Sequence, residues 1–161
     1  MVVVDSSVLI PLLRIGKINL LKFYYDKVLI PKEIYEEIVA GKTGFSIFEE
    51  ACKDWIAVSS RLFSNAGEIA KKEGIALADA VLLLLAEEKK APLISNDAAL
   101  MLIARSRGIR CIWLTTFLLN CLKKKIITKK DAKSILLQLV EASMHLTNDV
   151  YSALLEIIDK Y

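Results

Sequence analysis

Short runs of apolar, often β-branched residues alternate with longer segments of helical periodicity along most of this chain. We predict strands for the five apolar runs at residues 2–4, 27–30, 55–58, 93–95 and 110–114. Strands that alternate with helices in this way predict a parallel sheet covered by helices on both faces. The fold class is therefore α/β, with a central parallel sheet of about five strands.

Between these runs the sequence predicts helices at residues 32–40, 66–72, 77–88, 98–106 and 115–125. The helix at 32–40 follows Pro31 and is closed by Gly41, since proline suits a first helical turn and glycine a C-terminal cap. An earlier helix, capped by Ser6 or Ser7, is harder to place, because Pro11 falls about where the first intrahelical N–H is needed. We expect it to be distorted, or to begin again at Pro11.

Helical patterns continue beyond the last predicted strand. Thr128 opens a helix that runs to about His145, with Asp131 at capping-box spacing, and Thr147 or Asn148 opens a last one. The first of these helices carries an apolar stripe at helical spacing, made of Ile135, Leu136, Leu139 and Val140. Core packing is the favoured use of this stripe and a dimer interface the second. We predict one domain over residues 1–161 with a C-terminal helical extension at about 128–161, and a homodimer.

Composition narrows the class of protein. Of the 161 residues 55% are hydrophobic, with only three prolines and six glycines, which argues against disorder. The apolar run at 80–86 is far shorter than the roughly 20 residues that span a bilayer. The sequence opens on a strand-like run rather than on the basic segment of a signal peptide. We therefore expect a cytoplasmic protein with no membrane partner.

Cysteine and histidine usage limits the chemistry. Cys52, Cys111 and Cys121 lie in apolar contexts without C-x-x-C spacing, which favours buried thiols over a disulfide or a zinc site. His145 is the only histidine, so the sequence excludes a multi-histidine metal site. We interpret His145 as a helical surface or packing residue rather than a catalytic one.

Two acids follow predicted strands directly. Asp5 comes after the strand at 2–4 and Asp97 after the strand at 93–95, so both lie at carboxyl ends of strands. Ligands of open α/β sheets bind at that edge. Either acid could instead cap the helix that follows it. The occurrence of the same arrangement after two strands favours a shared site.

A third acid belongs to the helix at 77–88. Asp79 lies in its first turn, where a carboxylate interacts favourably with the helix dipole. Leu82 and Leu83 lie on the same helical face, which turns Asp79 toward the interior. A half-buried carboxylate with no neighbouring Lys or Arg in sequence needs a metal ion or a hydrogen-bond donor.

The helix at 32–40 offers a fourth acid, but it carries Glu33, Glu36 and Glu37, and periodicity alone does not choose among the three. Carboxylates that share a site raise one another's pKa, so a group of four calls for a compensating cation. A hard divalent metal held by oxygen ligands is the natural one.

Two other acid-based chemistries do not fit. A receiver-type phosphoacceptor needs an acid at the end of the third strand, but Val58 is followed by Ser59 and Ser60. A phosphatase with an Asp-x-Asp nucleophile needs an acid at Ser7. The sequence also lacks a Gly-rich phosphate loop.

Four short motifs occur in a specific order: Val-Val-Asp-Ser-Ser-Val-Leu-Ile at 3–10, Ile-Pro-Lys-Glu-Ile-Tyr-Glu-Glu-Ile at 30–38, Ala-Asp-Ala at 78–80 and Leu-Ile-Ser-Asn-Asp at 93–97. In order and spacing, from Val2 to about Leu118, the chain resembles the PIN-domain nucleases, especially the VapC-like toxins and a prokaryotic subgroup with a longer C-terminus. The resemblance implies a three-layer PIN-like fold with added C-terminal helices. The helices from Thr128 onward exceed what a minimal toxin needs.

The resemblance also implies the site. In the family the second acid falls six residues after the proline, which selects Glu37. Asp5, Glu37, Asp79 and Asp97 would be the catalytic acids and would hold one or two Mg²⁺ or Mn²⁺ ions. Supporting roles fall to the hydroxyl of Ser6 or Ser7 and to Asn96.

The resemblance to the PIN-domain nucleases implies a divalent-metal-dependent ribonuclease with an RNA substrate. It could be the toxin of a VapBC-type toxin–antitoxin pair, with a cognate antitoxin protein as partner. The alternative is a non-catalytic PIN-like module that binds RNA or protein. Intact acids at all four positions argue against that alternative.

The distribution of charge suggests where the RNA backbone would bind. Residues 1–100 carry 12 basic and 14 acidic side chains, whereas residues 101–161 carry 10 and 5, within a formal net charge of +3. By charge alone the candidate backbone contacts are Arg105, Arg107, Arg110, Lys123, Lys124 and Lys125. The three lysines also end a predicted helix, where cations interact favourably with the dipole without any ligand.

Overall fold

The computed structural model describes residues 1–142 and 144–161, and within them the chain forms five strands and ten helices. The strands are β1 (Val2–Val4), β2 (Val28–Pro31), β3 (Ile56–Ser59), β4 (Leu93–Ile94) and β5 (Cys111–Ile112). The helices are α1 (Ser6–Arg14), α2 (Asn19–Tyr24), α3 (Lys32–Gly41), α4 (Phe45–Asp54), α5 (Ala66–Glu73), α6 (Leu77–Lys89), α7 (Ala98–Ser106), α8 (Leu114–Lys123), α9 (Lys129–Glu141) and α10 (Asn148–Lys160).

The five strands form one parallel sheet in the order β3-β2-β1-β4-β5. Helices flank it, which confirms the predicted three-layer α/β architecture. The chain builds outward from β1 to β3 and then crosses back to β4 on the other side of β1. Strand order therefore reverses between β1 and β4, where Val4 pairs with Ile94. Ligands of open α/β sheets bind beside such a reversal, at the carboxyl ends of the strands.

The core is centred on β1, whose three valines are fully buried. Helix α6 packs on β1 and β2 and also touches α3. The C-terminal helices join the same core. Ile135, Leu136 and Leu139 are buried in it, as the packing interpretation of their stripe predicted, and Ile158 of α10 is buried with them.

Helix α1 is continuous from Ser6 to Arg14, so the alternative that it begins again at Pro11 is wrong. Its N-cap residue is Asp5, not Ser6 or Ser7. Pro11 removes one backbone hydrogen bond and costs about 3 kcal/mol. The helix buries four aliphatic side chains, including Leu9 and Leu12, and each contributes about 1.5–3 kcal/mol. Burial therefore outweighs the loss.

Helix α3 continues through Gly41, and Lys42 adopts the left-handed conformation with φ 57° in its place. A left-handed lysine costs about 1–2 kcal/mol. Gly44 is also left-handed, at φ 58°, and is the N-cap residue of α4. This tight connection between two helices was not predicted, because α4 itself was not.

Helix α9 ends at Glu141 rather than at His145. The N–H of Met144 donates to the carbonyl of Leu139, five residues earlier, at 2.9 Å, and Met144 is buried. This combination is typical of a helix C-terminus. His145 therefore lies in the connection to α10, exposed, and the helical placement predicted for it is wrong. Thr128 and Asp131 do form the predicted capping box.

None of the helices described for residues 1–142 and 144–161 is both long and apolar enough to cross a membrane. The three cysteines are free, with Cys121 buried and the other two half-buried. Burial raises the pKa of the Cys121 thiol to about 12 and that of Cys52 to about 11. Such thiols are unreactive, in keeping with a packing role.

Candidate active site

Asp5 lies at the carboxyl end of β1, beside the point where the strand order reverses. Its backbone N–H donates to the carbonyl of Ile94 at 3.0 Å, which continues the β1–β4 ladder by one residue. The side chain is only 4% exposed. Although Asp5 is the N-cap residue of α1, its side chain makes no capping hydrogen bond, and its Oδ2 accepts hydrogen bonds from the hydroxyls of Ser7 and Ser95. Asp5 is thus a buried carboxylate fixed by two neutral donors.

The two serines extend this network to the chain after β4. Ser95 Oγ lies 2.9 Å from Asp5 Oδ2 and accepts the N–H of Asp97 at 3.0 Å. Ser7 Oγ accepts the N–H of Asn96 at 2.9 Å. The hydroxyls therefore bind the ends of β1 and β4 together and hold the backbone of Asp97 beside Asp5.

Glu37 is distinguished from its neighbours by its contacts. Its Oε1 accepts a hydrogen bond from the hydroxyl of Ser6 at 3.1 Å, which joins α3 to the residue directly after Asp5. Glu36 pairs with Lys32 at 3.3 Å on the solvent side. Glu33 lines a separate cleft of about 670 Å³ beside the loop that follows β3. Only Glu37 of the three is tied to the Asp5 segment.

Asp79 lies half-buried in the first turn of α6 and experiences the other three acids. Burial, followed by the negative charges of Asp5 and Asp97, raises the pKa of the Asp79 carboxyl. The charge of Glu37 adds to this rise, and a hydrogen bond from the backbone of Ala76 opposes it. Asp79 is therefore close enough to the other three carboxylates to experience their charges.

Asp97 does cap a helix, as one of the two interpretations predicted. Its Oδ1 accepts the N–H of Leu100 at 3.0 Å in the first turn of α7. The residue is exposed, and its charge still raises the pKa of Asp79. Capping uses one carboxylate oxygen, so it does not exclude a second role for Asp97.

No lysine or arginine of residues 1–142 or 144–161 forms an ion pair with these four acids. In the same described parts, no three side chains of His, Cys, Asp and Glu already stand close enough together to hold a metal ion. The donors are all oxygens, which suit Mg²⁺ or Mn²⁺. Because Mg²⁺ keeps several of its waters and takes only one or two protein carboxylates, this open group fits a hydrated ion better than a closed cage.

The six basic candidates lie at the amino ends of the strands, whereas the carboxylates lie at the carboxyl ends. Helices α7 and α8 follow β4 and β5 and run back along them, and α8 alone is about 15 Å long. Arg105 and Lys123 to Lys125 are at or just beyond their far ends, and Arg110 directly precedes β5. The structure therefore does not bring these cations together with the carboxylates.

Two of the six also have partners of their own. Arg107 donates through Nε and one terminal nitrogen to both carboxylate oxygens of Glu87, at 2.7 and 2.9 Å. Lys124 Nζ lies 3.8 Å from the centre of the Tyr24 ring. Such contacts stabilise the fold without a ligand.

Ser95 was not singled out in the sequence, although it lies in the motif at 93–97. It is fully buried and makes the central hydrogen bond of the network. The available signal was a hydroxyl at the end of an apolar strand, since a buried polar group needs a hydrogen-bond partner. The neighbouring Asp5 was the obvious acceptor once β1 and β4 were paired.

Residues 1–160 match a family model described as a PIN domain (DUF3368). The match covers both the carboxylate-bearing elements and the C-terminal helices. No curated protein and no solved structure matches the chain.

Proposed function

This chain belongs to the PIN-domain family, and we propose that it is a divalent-metal-dependent ribonuclease whose centre is the group of Asp5, Glu37, Asp79 and Asp97. Proteins with PIN domains are generally nucleases and usually use divalent metals. The observation that carries the proposal is the convergence of four carboxylates: Ser6 joins Glu37 to the segment of Asp5, Ser95 joins Asp5 to the backbone of Asp97, and Asp79 is near enough that their charges add to the effect of burial on its pKa. A carboxyl whose pKa is raised by burial and by nearby negative charges is stabilised in its charged form by a cation.

In this proposal the four acids hold one or two Mg²⁺ or Mn²⁺ ions. The bound metal would polarise the phosphate, lower the pKa of a water for in-line attack and stabilise the departing oxygen. The protein's own contribution is positional. Ser7 and Ser95 fix the Asp5 carboxylate, and Ser6 donates to Glu37. Asp79 would orient the attacking water.

For contacts with the RNA backbone we propose a smaller set of basic residues than charge alone suggested. Arg105, Arg110 and the lysines of 123–125 would bind phosphates of RNA that extends past the carboxylates toward the amino edge of the sheet. Removal of one cation that binds a phosphate of single-stranded RNA lowers the slope of log affinity against log salt by about 0.7. A Lys123→Gln, Lys125→Gln double variant with an unchanged slope would remove these two residues from the RNA path.

The biological setting we propose is that of a VapBC-type toxin, on the strength of the sequence resemblance. A protein encoded beside this chain, which co-purifies with it and silences its cleavage of RNA, would be the antitoxin. Cleavage without such a partner would favour RNA processing.

Cleavage of a mixed RNA pool tests the activity. We expect wild type to cleave with Mg²⁺ or Mn²⁺ and not with EDTA, and Asp97→Asn to lose the activity. Asparagine still accepts the N–H of Leu100, so this variant keeps the cap of α7. Asp54→Asn is the matched control, because Asp54 is an exposed acid paired with Lys22 far from the site. Equal cleavage by wild type and Asp97→Asn would point to a contaminant.

Metal binding can be tested without substrate. An ion that binds only the folded state at a hundred times its Kd stabilises it by about 2.7 kcal/mol. We expect Mn²⁺ to raise the melting temperature of wild type, and the rise to disappear in Asp5→Asn and Asp97→Asn. A folded protein that shows no stabilisation at millimolar Mn²⁺ and no cleavage would favour the non-catalytic binding module.

A further inference from the structure

A cleft of about 590 Å³ opens beside the carboxylates, on the side of α1 and the start of α8. Ser7 and Asn96 form its inner wall. They are also members of the Asp5 network, since Ser7 donates to Asp5 and accepts the N–H of Asn96. The cleft therefore begins one side chain away from the buried carboxylate.

The C-terminal extension supplies the outer wall. Met144, His145 and Leu146 come from the connection between α9 and α10, and Val150 from the first turn of α10. Without this segment the space beside Asn96 would be open solvent. The structure thus gives the helices beyond the sheet a position next to the site.

The chemistry of the lining suits a flat heteroaromatic ring. Trp113 is half-buried and presents an indole, and Leu146 is an apolar wall of the same cleft. Asn96, Thr115 and His145 add hydrogen-bonding groups. RNA-binding proteins hold unstacked bases with this combination, an aromatic face for stacking and polar groups for the base edge.

The lining favours a base over a phosphate. Among the described residues that line the cleft, none is a lysine or an arginine. Its volume lies within the range of about 300–1,000 Å³ that is typical of small-ligand sites and exceeds the needs of one nucleobase.

We propose that this cleft binds the nucleobase next to the phosphate held at the carboxylates, with the base stacked on Trp113. The proposal rests on the proposed ribonuclease function and deepens it, because it gives the substrate a base-binding cleft and names Trp113 as the stacking residue. Thr115 and His145 would then influence which base is preferred.

Tryptophan fluorescence tests the contact directly. The chain has two tryptophans, so Trp55→Phe leaves Trp113 as the only one, and Trp113→Phe leaves Trp55 as a control. Trp55 precedes β3, which is the edge strand on the other side of the sheet from β5, and lines a different cleft. A short single-stranded RNA of mixed sequence, labelled with fluorescein, is titrated with Ca²⁺ as the hard divalent cation in place of Mg²⁺ or Mn²⁺, and the RNA is checked for intact length after each titration so that binding is measured without cleavage. Each of AMP, GMP, CMP and UMP is titrated in parallel.

We expect saturable quenching of Trp113 in the Trp55→Phe protein and none of Trp55 in the Trp113→Phe protein. Loss of a stacked base weakens RNA binding by about 5- to 150-fold, so Trp113→Ala should lower the affinity measured by fluorescein anisotropy within that range. Trp113→Phe keeps a ring and should lie between Trp113→Ala and wild type. The fluorescence result does not depend on the folding of Trp113→Ala.

The outcomes separate this proposal from the function on which it rests. RNA that binds or is cleaved while Trp113 fluorescence stays unchanged would overturn the cleft proposal and leave the ribonuclease intact. Quenching by the monophosphates but not by RNA would also overturn it, since the cleft would then be a mononucleotide site. Failure of RNA to bind or be cleaved under any condition would overturn both.

Discussion

Replacement of Ser95 by alanine removes only one hydroxyl, but it should destabilise the protein strongly. The hydroxyl is fully buried, donates to Asp5 Oδ2 at 2.9 Å and accepts the N–H of Asp97 at 3.0 Å. A hydrogen bond to a charged group contributes about 1.5–3 kcal/mol, and the partly buried bond from the N–H of Asp97 about 0.5–1.5 kcal/mol. Ser7 still donates to Asp5, which offsets part of the loss. We therefore expect the free energy of unfolding to fall by about 2–4 kcal/mol.

Urea denaturation followed by circular dichroism measures this change. The midpoint should shift while the slope m stays constant, because the extent of surface exposed on unfolding is unchanged. Ser60→Ala is the matched control, since Ser60 is exposed in the loop after β3 and its loss should stay within about 0.5 kcal/mol. A double-mutant cycle with Asp5→Asn should give a coupling energy of at least about 0.5 kcal/mol. Equal losses for Ser95→Ala and Ser60→Ala would refute the network.

Three further predictions concern other elements. Burial and the nearby acids raise the pKa of Asp79, so the folded state keeps a proton that the unfolded chain has released. Metal-free stability should therefore fall as pH rises above about 4, the ordinary carboxyl pKa, through the raised one. Urea unfolding at several pH values in EDTA should show a smaller fall in Asp79→Asn, and equal falls in the variant and wild type would contradict a raised pKa at Asp79. Arg107→Ala should lower the free energy of unfolding by about 1 kcal/mol through loss of its bidentate pair with Glu87, with little change in the salt slope of RNA binding. Thr128→Ala should cost about 1 kcal/mol, measured by thermal unfolding, because it removes the side-chain cap of α9; no change would show that the capping box adds nothing.

The architecture was predictable because it follows from periodicity. Each β-branched run identified in the sequence overlaps an observed strand, with ends that agree or differ by one or two residues. The end of β5 shows why ends are harder. Leu114 continues the apolar run, yet it begins α8, because the pattern of apolar residues does not record where a helix takes over a backbone.

The missed features depend on contacts that the sequence does not display. Helix α4 has a mixed composition and is set in place by burial of Phe48 and Ala51. Pro11 argued for a break in α1, and only the burial along that helix decides against it. The position of His145 depended on the end of α9, which is closed by a hydrogen bond from the N–H of Met144. In each case tertiary packing outweighed a local signal.

The candidate site divides in the same way. Strand ends gave Asp5 and Asp97, but the choice of Glu37 needed the resemblance, and the structure adds its hydrogen bond to Ser6. Charge counting gave basic residues without their location. Their position at the amino edge follows from the direction of α7 and α8, which charge alone does not encode.

The most direct test of the central claim compares two adjacent glutamates. Glu36 and Glu37 share helix α3 and both are exposed, but only Glu37 reaches the Asp5 segment. Cleavage of RNA with saturating Mn²⁺ should fall at least about tenfold in Glu37→Gln and stay near wild type in Glu36→Gln, with similar melting temperatures for both. Equal activities of the two variants, whether both retained or both lost, would contradict a catalytic centre made of these four carboxylates.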